Sequence, residues 1–221
     1  MKTILVTGGA QGLGRSIVKE FVNNDCKVLV AYNTSYNRAL ELEDDNVDII
    51  KLDITNEIDI KNVFDKYKID VLINNASVSM DSTIEDKSKE EFMKVLEVNL
   101  VGTFMMCKYA VKSGVRQIIN ISSTDSIDTF SALNIDYSSS KAGVNIVTKT
   151  FALNYPNIRI IGVLPNWIDT ESVLGMDPNY LKSELERIGQ SELLKKEYVS
   201  KRIYEICNDN SIKSGELIRI G

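Results

Sequence analysis

The 221-residue chain contains no histidine. That absence excludes Ser-His-Asp and Cys-His catalysis and any zinc site built on imidazole. An acid–base group, if there is one, must come from Tyr, Lys, Asp, Glu or Cys. Cysteine is scarce too. Cys26, Cys107 and Cys207 are odd in number, widely spaced and set in apolar surroundings. They read as buried free thiols in a reducing compartment, not as a disulfide framework. No apolar run approaches the ~20 residues that span a bilayer. The five-residue apolar-leaning start before the first glycines is too short for a signal peptide. The expected location is therefore cytoplasmic, with no membrane partner and no metal site. A net charge of −5 argues against nucleic acid as a partner.

What is present is a regular alternation. Short β-branched runs are expected as strands at Thr3–Thr7, Lys27–Tyr32, Val47–Leu52, Asp70–Asn74, Gln117–Ser122, Arg159–Leu164 and Glu216–Ile220. Helical spacing separates them, beginning with Leu13, Ile17, Val18, Phe21 and Val22. A short helix is expected at Asn37–Glu43. A second runs to Lys66 with Thr55 as its cap, and long helices are expected at Lys89–Ser113 and Ser138–Leu153. Strands bounded by helices of this length mean repeated βαβ units. The fold class is α/β: a Rossmann-type doubly wound, mostly parallel seven-stranded sheet with helices on both faces, in a single domain over residues 1–221. One region, Pro165–Lys195, is irregular. It holds two of the three prolines and Trp167, and its place after a strand suits a substrate lid.

The first strand runs into Thr7-Gly8-Gly9-Ala10-Gln11-Gly12-Leu13-Gly14, and a helix follows. Four glycines within seven residues at this junction let a pyrophosphate approach the backbone and the helix N-terminus. The second strand ends in Asn33, Thr34 and Ser35, with no acid before Glu41. An acid here would hold a ribose 2′-hydroxyl. Its absence, with Arg38 close by, points to a 2′-phosphate and so to NADP(H) over NAD(H). The third strand ends in Asp53-Ile54, where the acid either accepts from an adenine amino group or caps the next helix. Asn74-Asn75-Ala76 ends the fourth, at the edge where ligands bind in this architecture.

Tyr137 and Lys141 lie four apart, on one face of a helix. A free phenol titrates near ~10. A lysine ammonium held close would lower that value, and the pair could then exchange a proton with an alcohol or carbonyl.

Taken together, these segments resemble the short-chain dehydrogenase/reductase family over nearly the whole chain. The carriers are Thr7-Gly8-x-x-x-Gly12-x-Gly14, Asn74-Asn75-Ala76, Asn99 in Val98-Asn99-Leu100, Ile121-Ser122-Ser123, and Tyr137 with Lys141. The tail from Ser214 to Gly221, with Arg187-Ile188-Gly189-Gln190, looks like the 3-oxoacyl-(acyl-carrier-protein) reductase branch. The resemblance implies that Tyr137 donates the proton in reduction, that Lys141 lowers its pKa and binds the nicotinamide ribose, and that Ser123 polarises the substrate oxygen. It implies that Asn99 holds a water linking Lys141 to solvent. Gly8, Gln11, Gly12, Leu13, Gly14, Asn75, Ala76, Pro165, Ile168 and Thr170 would meet the cofactor. Three departures stand out. Ser77 and Asn166 replace glycines, and Ser123 lies one residue further from Tyr137 than is commonest, so Thr124 competes with it. The implied activity is reduction of a small ketone or 3-oxoacyl thioester by a homodimer or homotetramer. The competing expectations are a nucleotide-binding sensor or scaffold without turnover, and a sugar-nucleotide epimerase, for whose larger substrate domain the chain has no room.

Overall fold

Seven β-branched runs form β1 (Thr3–Thr7), β2 (Lys27–Tyr32), β3 (Val47–Lys51), β4 (Val71–Asn74), β5 (Gln117–Ile121), β6 (Arg159–Pro165) and β7 (Leu217–Ile220). The helices are α1 (Gly12–Val22), α2 (Tyr36–Leu40), α3 (Glu57–Lys66), α4 (Lys89–Leu96), α5 (Thr103–Ala110), α6 (Ile135–Asn154), α7 (Glu171–Leu174), α8 (Pro178–Ile188) and α9 (Lys196–Asn208). The computed structural model describes residues 1–221, and its strands make one sheet in the order β3-β2-β1-β4-β5-β6-β7. Every neighbouring pair is parallel; Leu5 of β1 sits between Leu29 of β2 and Leu72 of β4.

Parallel strands covered on both faces need apolar residues on both, and alternate positions feed two cores. Ile4, Val6, Ile119 and Ile161 pack with Ile17 and Phe21 of α1 and Val199 and Ile203 of α9. Leu5, Leu29, Leu72, Ile118 and Ile160 pack on the other side with Ile60 and Phe64 of α3 and Met106 of α5. The chain crosses from one side of β1 to the other between β3 and β4, so the carboxyl ends of β1 and β4 open a crevice.

Four expectations are corrected. The helix expected at Asn37–Glu43 lies at Tyr36–Leu40. Asn56, not Thr55, caps α3, accepting from Ile58 N and Asp59 N, while Thr55 donates to Asp53. The long helix from Lys89 is broken: a capping box of Ser88 and Glu91 starts α4, a π-helical turn spans Glu97–Gly102, and α5 ends at Ala110. The irregular segment after β6 contains α7 and α8 and is closed at its base by a bridge between Ile168 and Leu194. Asp177 caps α8 ahead of Pro178, and left-handed Gly189 ends it, a local signal for a helix. The three thiols are buried and free, and burial pushes Cys107 and Cys207 up to about 12. No helix is long and apolar enough to cross a membrane.

Candidate active site

The turn after β1 and the segment after β4 are built into each other. Thr7 Oγ1 accepts from Asn75 N at 2.9 Å and Ala76 N at 3.0 Å, and Asn75 Nδ2 donates back to Thr7 O at 3.0 Å. Gly8 sits at φ +62°, and a Cβ there would lie 3.0 Å from Ala76 Cα. At Gly14 a Cβ would lie 2.2 Å from Gly8 O and 2.6 Å from Asn75 Nδ2. No side chain fits between these strands. Asn74 turns the other way. Its Nδ2 donates to Asn120 Oδ1 at 2.8 Å, Asn120 Nδ2 donates to Thr148 Oγ1 at 2.9 Å, and the chain of amides ties β4, β5 and α6 together below the crevice.

A cavity of about 560 Å³ runs along the carboxyl edge of the sheet. It gathers Gly8, Gln11, Gly12, Leu13 and Gly14 after β1, Asn33, Thr34 and Ser35 after β2, and Asp53 and Ile54 after β3. Asn75 and Ala76 after β4, Ser123 after β5, Tyr137 and Lys141 on α6, and Pro165, Ile168 and Thr170 after β6 complete it. Asn74 and the rival hydroxyl Thr124 lie outside it, and so does Asn99. Its Oδ1 accepts from Val78 N at 2.8 Å, and its Nδ2 donates to Val78 O at 2.9 Å and Ser140 Oγ at 3.1 Å. The carboxamide pins the segment after β4 to α6 and keeps one lone pair of Oδ1 free. Its backbone carbonyl, in the π turn, accepts from Thr103 Oγ1 at 2.7 Å.

The polar groups fit a dinucleotide. No side chain caps α1 and its first turn has no acid, so its free N–H groups face the crevice and suit a diphosphate. Burial alone would raise the Asp53 carboxyl. Hydrogen bonds from Thr55 and Asn33 outweigh it and hold the group below its ordinary value, so it stands as an anionic acceptor. Arg38 does not stand free: it donates to Gln11 Oε1 at 2.8 Å, and Ser35 Oγ donates to the same oxygen at 3.2 Å.

At the other end the acid–base pair differs from expectation. Lys141 is 3% exposed, its Nζ donates to Ile121 O at 2.8 Å, and burial lowers its pKa to about 8. Its Nζ lies 5.3 Å from the centre of the Tyr137 ring. The Tyr137 phenol is nevertheless raised, not lowered. Burial is the main cause, the Asp125 charge adds to it, and the Ser123 hydroxyl pulls the other way. Desolvation disfavours the phenolate, and only the Ser123 hydroxyl opposes it. The phenol is therefore protonated at neutral pH. Between the two rivals for the hydroxyl, the geometry separates roles. Ser123 lines the cavity. Thr124 is 1% exposed and tied to Asn166 Oδ1 at 3.2 Å and to Thr129 Oγ1 at 2.8 Å.

Sequence reasoning missed Asp81, Asp125, Asn134 and Met176, which line the same end. Asp125 stands two residues after Ser123, which is the one signal it carries; nothing local marks the others.

The family model described as short chain dehydrogenase matches residues 2–180. The 3-oxoacyl-[acyl-carrier-protein] reductase of Thermotoga maritima is 30% identical, over 99% of this chain and 96% of that protein. An uncharacterized oxidoreductase of the same organism is 32% identical, over 76% of this chain and 72% of its own length. The ligand-free aldohexose dehydrogenase of Thermoplasma acidophilum superposes with a TM-score of 0.85 at 28% identity, covering 99% of this chain and 92% of that one.

Proposed function

This chain belongs to the short-chain dehydrogenase family, and on that premise we propose that it interconverts a ketone and a secondary alcohol with NADP(H). The carrying observation is the meeting of Ser123, Tyr137 and Lys141 at one end of a cavity whose other end offers the uncapped N-terminus of α1. The nicotinamide cofactor, when bound, supplies or takes the hydride. The protein supplies the rest. Ser123 Oγ holds the carbonyl oxygen. The Tyr137 phenol gives its proton to that oxygen as negative charge develops on it. Its raised pKa keeps the phenol protonated at neutral pH. The Lys141 ammonium lies behind the ring and steadies the phenolate left after transfer.

The preference for NADP(H) is supported by Asn33, Thr34 and Ser35 lining the cavity after β2 where no acid stands. Substrates named among the relatives, a 3-oxoacyl thioester and an aldohexose, share the carbonyl–alcohol pair. Residues 165–195, with α7 and α8, form the lid over it. Exposed Val101, Phe104, Ile146 and Leu153 on the π turn, α5 and α6 support assembly as a homodimer or homotetramer.

Purified protein should oxidise NADPH in the presence of a ketone. Tyr137→Phe should lose about 10²–10⁴-fold in turnover, the range of a positioned acid, while its NADPH dissociation constant stays within twofold. Native turnover in Tyr137→Phe would sink the assignment.

A further inference from the structure

The carbonyl end of the cavity carries a charge that the proposed chemistry does not use. Asp125 lines it and is 4% exposed. Its position is fixed. Its backbone N donates to Ser123 Oγ at 3.1 Å, Thr129 Oγ1 donates to its Oδ1 at 2.7 Å, and Asn134 Nδ2 donates to its Oδ2 at 3.3 Å. Asn134 is itself anchored, accepting from Ser138 Oγ at 2.9 Å. Burial raises the Asp125 carboxyl above its ordinary value, and the Thr129 and Asn134 donors and the Arg187 charge pull it back down; each oxygen holds one donor and has room for another.

The cations nearby are already committed. Arg187 of α8 donates to both carboxylate oxygens of Glu184, at 3.1 and 2.8 Å, and to Thr129 O at 3.2 Å. Lys141 is spent on Ile121 O. The other charged group of this end, Asp81, is an acid. The backbone hydrogen bond of Asp125 to Ser123 Oγ places it beside the hydroxyl that holds the carbonyl oxygen. Each oxygen of the Asp125 carboxyl already has one protein donor, and a ligand hydroxyl adds a second bond to an acceptor shielded from water.

We propose that Asp125 is a specificity residue that accepts a hydrogen bond from a substrate hydroxyl beside the reacting carbonyl, so that the substrate is a small hydroxylated carbonyl compound. Its reduced form is a polyol. Carboxylate-bearing ketones are repelled by Asp125 and Asp81, and a plain acyl chain offers the carboxyl no further donor. The proposal rests on the carbonyl–alcohol reading above.

Hydroxyacetone and butanone have the same number of heavy atoms and differ by one hydroxyl. With NADPH, the native protein should show a kcat/KM for hydroxyacetone about 10- to 150-fold above that for butanone, the factor of one hydrogen bond to a charged acceptor. Pyruvate and an acetoacetyl thioester should fall with butanone or below it. Asp125→Ala and Asp125→Asn should each reduce the hydroxyacetone-to-butanone ratio at least fivefold, with NADPH binding reporting that the variants are folded. A native ratio near one, a ratio unmoved in both variants, or the thioester as best substrate overturns the proposal. Turnover of none of these compounds would defeat the reductase reading instead, and Asp125 is then judged by binding alone. Trp167 is the sole tryptophan and lines the cavity. Xylitol should quench it in the NADP⁺-loaded native protein and bind at least tenfold more weakly to Asp125→Ala. Equal binding, or none to either, overturns it.

Discussion

Lys87 and Asp136 form an ion pair at 2.9 Å with side chains 4% and 0% exposed. Lys87 also donates to Met80 O, and Asp136 Oδ1 accepts the backbone N–H of Tyr137 at 2.9 Å. The pair thus clamps the segment after β4, which supplies Ser77, Val78, Ser79 and Asp81 to the cavity, onto the first turn of the helix that carries Tyr137. Asp136→Asn keeps the acceptor for the Tyr137 N–H and removes only the charge. Lys87 is then left buried and unpaired, and the cost of breaking such a pair is about 3–5 kcal/mol. That is a large share of the roughly 5–15 kcal/mol that holds a domain together. In a chain of this length it lowers the melting temperature by about 6–20 °C. Urea unfolding of native protein, Asp136→Asn, Lys87→Met and the double variant measures it. Each single variant should lose about 3–5 kcal/mol, and the double should lie within about 2 kcal/mol of native, because a neutral pair buries no charge. Turnover should fall in the singles and recover in the double. A loss below about 1 kcal/mol in Asp136→Asn, or strictly additive losses, would refute the reasoning.

The remaining expectations concern the two ends of the cavity. Gly14→Ala forces a Cβ to within 2.2 Å of Gly8 O, so NADPH binding, followed by fluorescence titration, should be lost or weakened at least 100-fold. Binding within threefold of native would remove the close-approach argument. NADPH should bind at least tenfold more tightly than NADH, since no acid follows β2 to repel a 2′-phosphate; equal dissociation constants would reject this. Burial lowers Lys141 to about 8 in the folded chain, against about 10.5 when unfolded. The unfolded state therefore carries more protons on this group between those values, and Lys141 contributes stability that grows as pH goes from 8 towards 10, on the order of 3 kcal/mol in total. Cys107 and Cys207, raised by burial, oppose it above pH 9, so the urea midpoint of native protein should rise over that window relative to that of Lys141→Met. Parallel slopes would show that another group is responsible.

Much of this molecule was written locally. The strands are short β-branched runs, and their alternation with helical spacing implies a parallel sheet before any contact is known. The glycine turn is equally local: Gly8, Gly12 and Gly14 stand where the backbone must turn and where β4 must approach. Tyr137 and Lys141 share a helix face by spacing alone. The helix Pro178–Ile188 was legible too, in Asp177-Pro178 and Gly189, but the surrounding prolines and glycines disguised it as a loop.

Other features had no local signature. The raised phenol of Tyr137, a half-buried residue, reflects the solvent lost around it in the fold and which acid ends up beside it. Spacing to Lys141 predicted the opposite sign because it counts a charge and not the lost solvent. Asn99 lay in a family motif, yet its partners, Val78 and Ser140, are 21 and 41 residues away. Asp125 meets Asn134, and Lys87 meets Asp136 across 49 residues. The chain alone determined its strands, its turn glycines and its candidate acid–base pair, because backbone geometry and periodicity act over a few residues. Only the folded structure decided which charges are paired, which amides pin distant segments together and which carboxylates line the cavity. Burial and long-range hydrogen bonds exist only once distant segments pack.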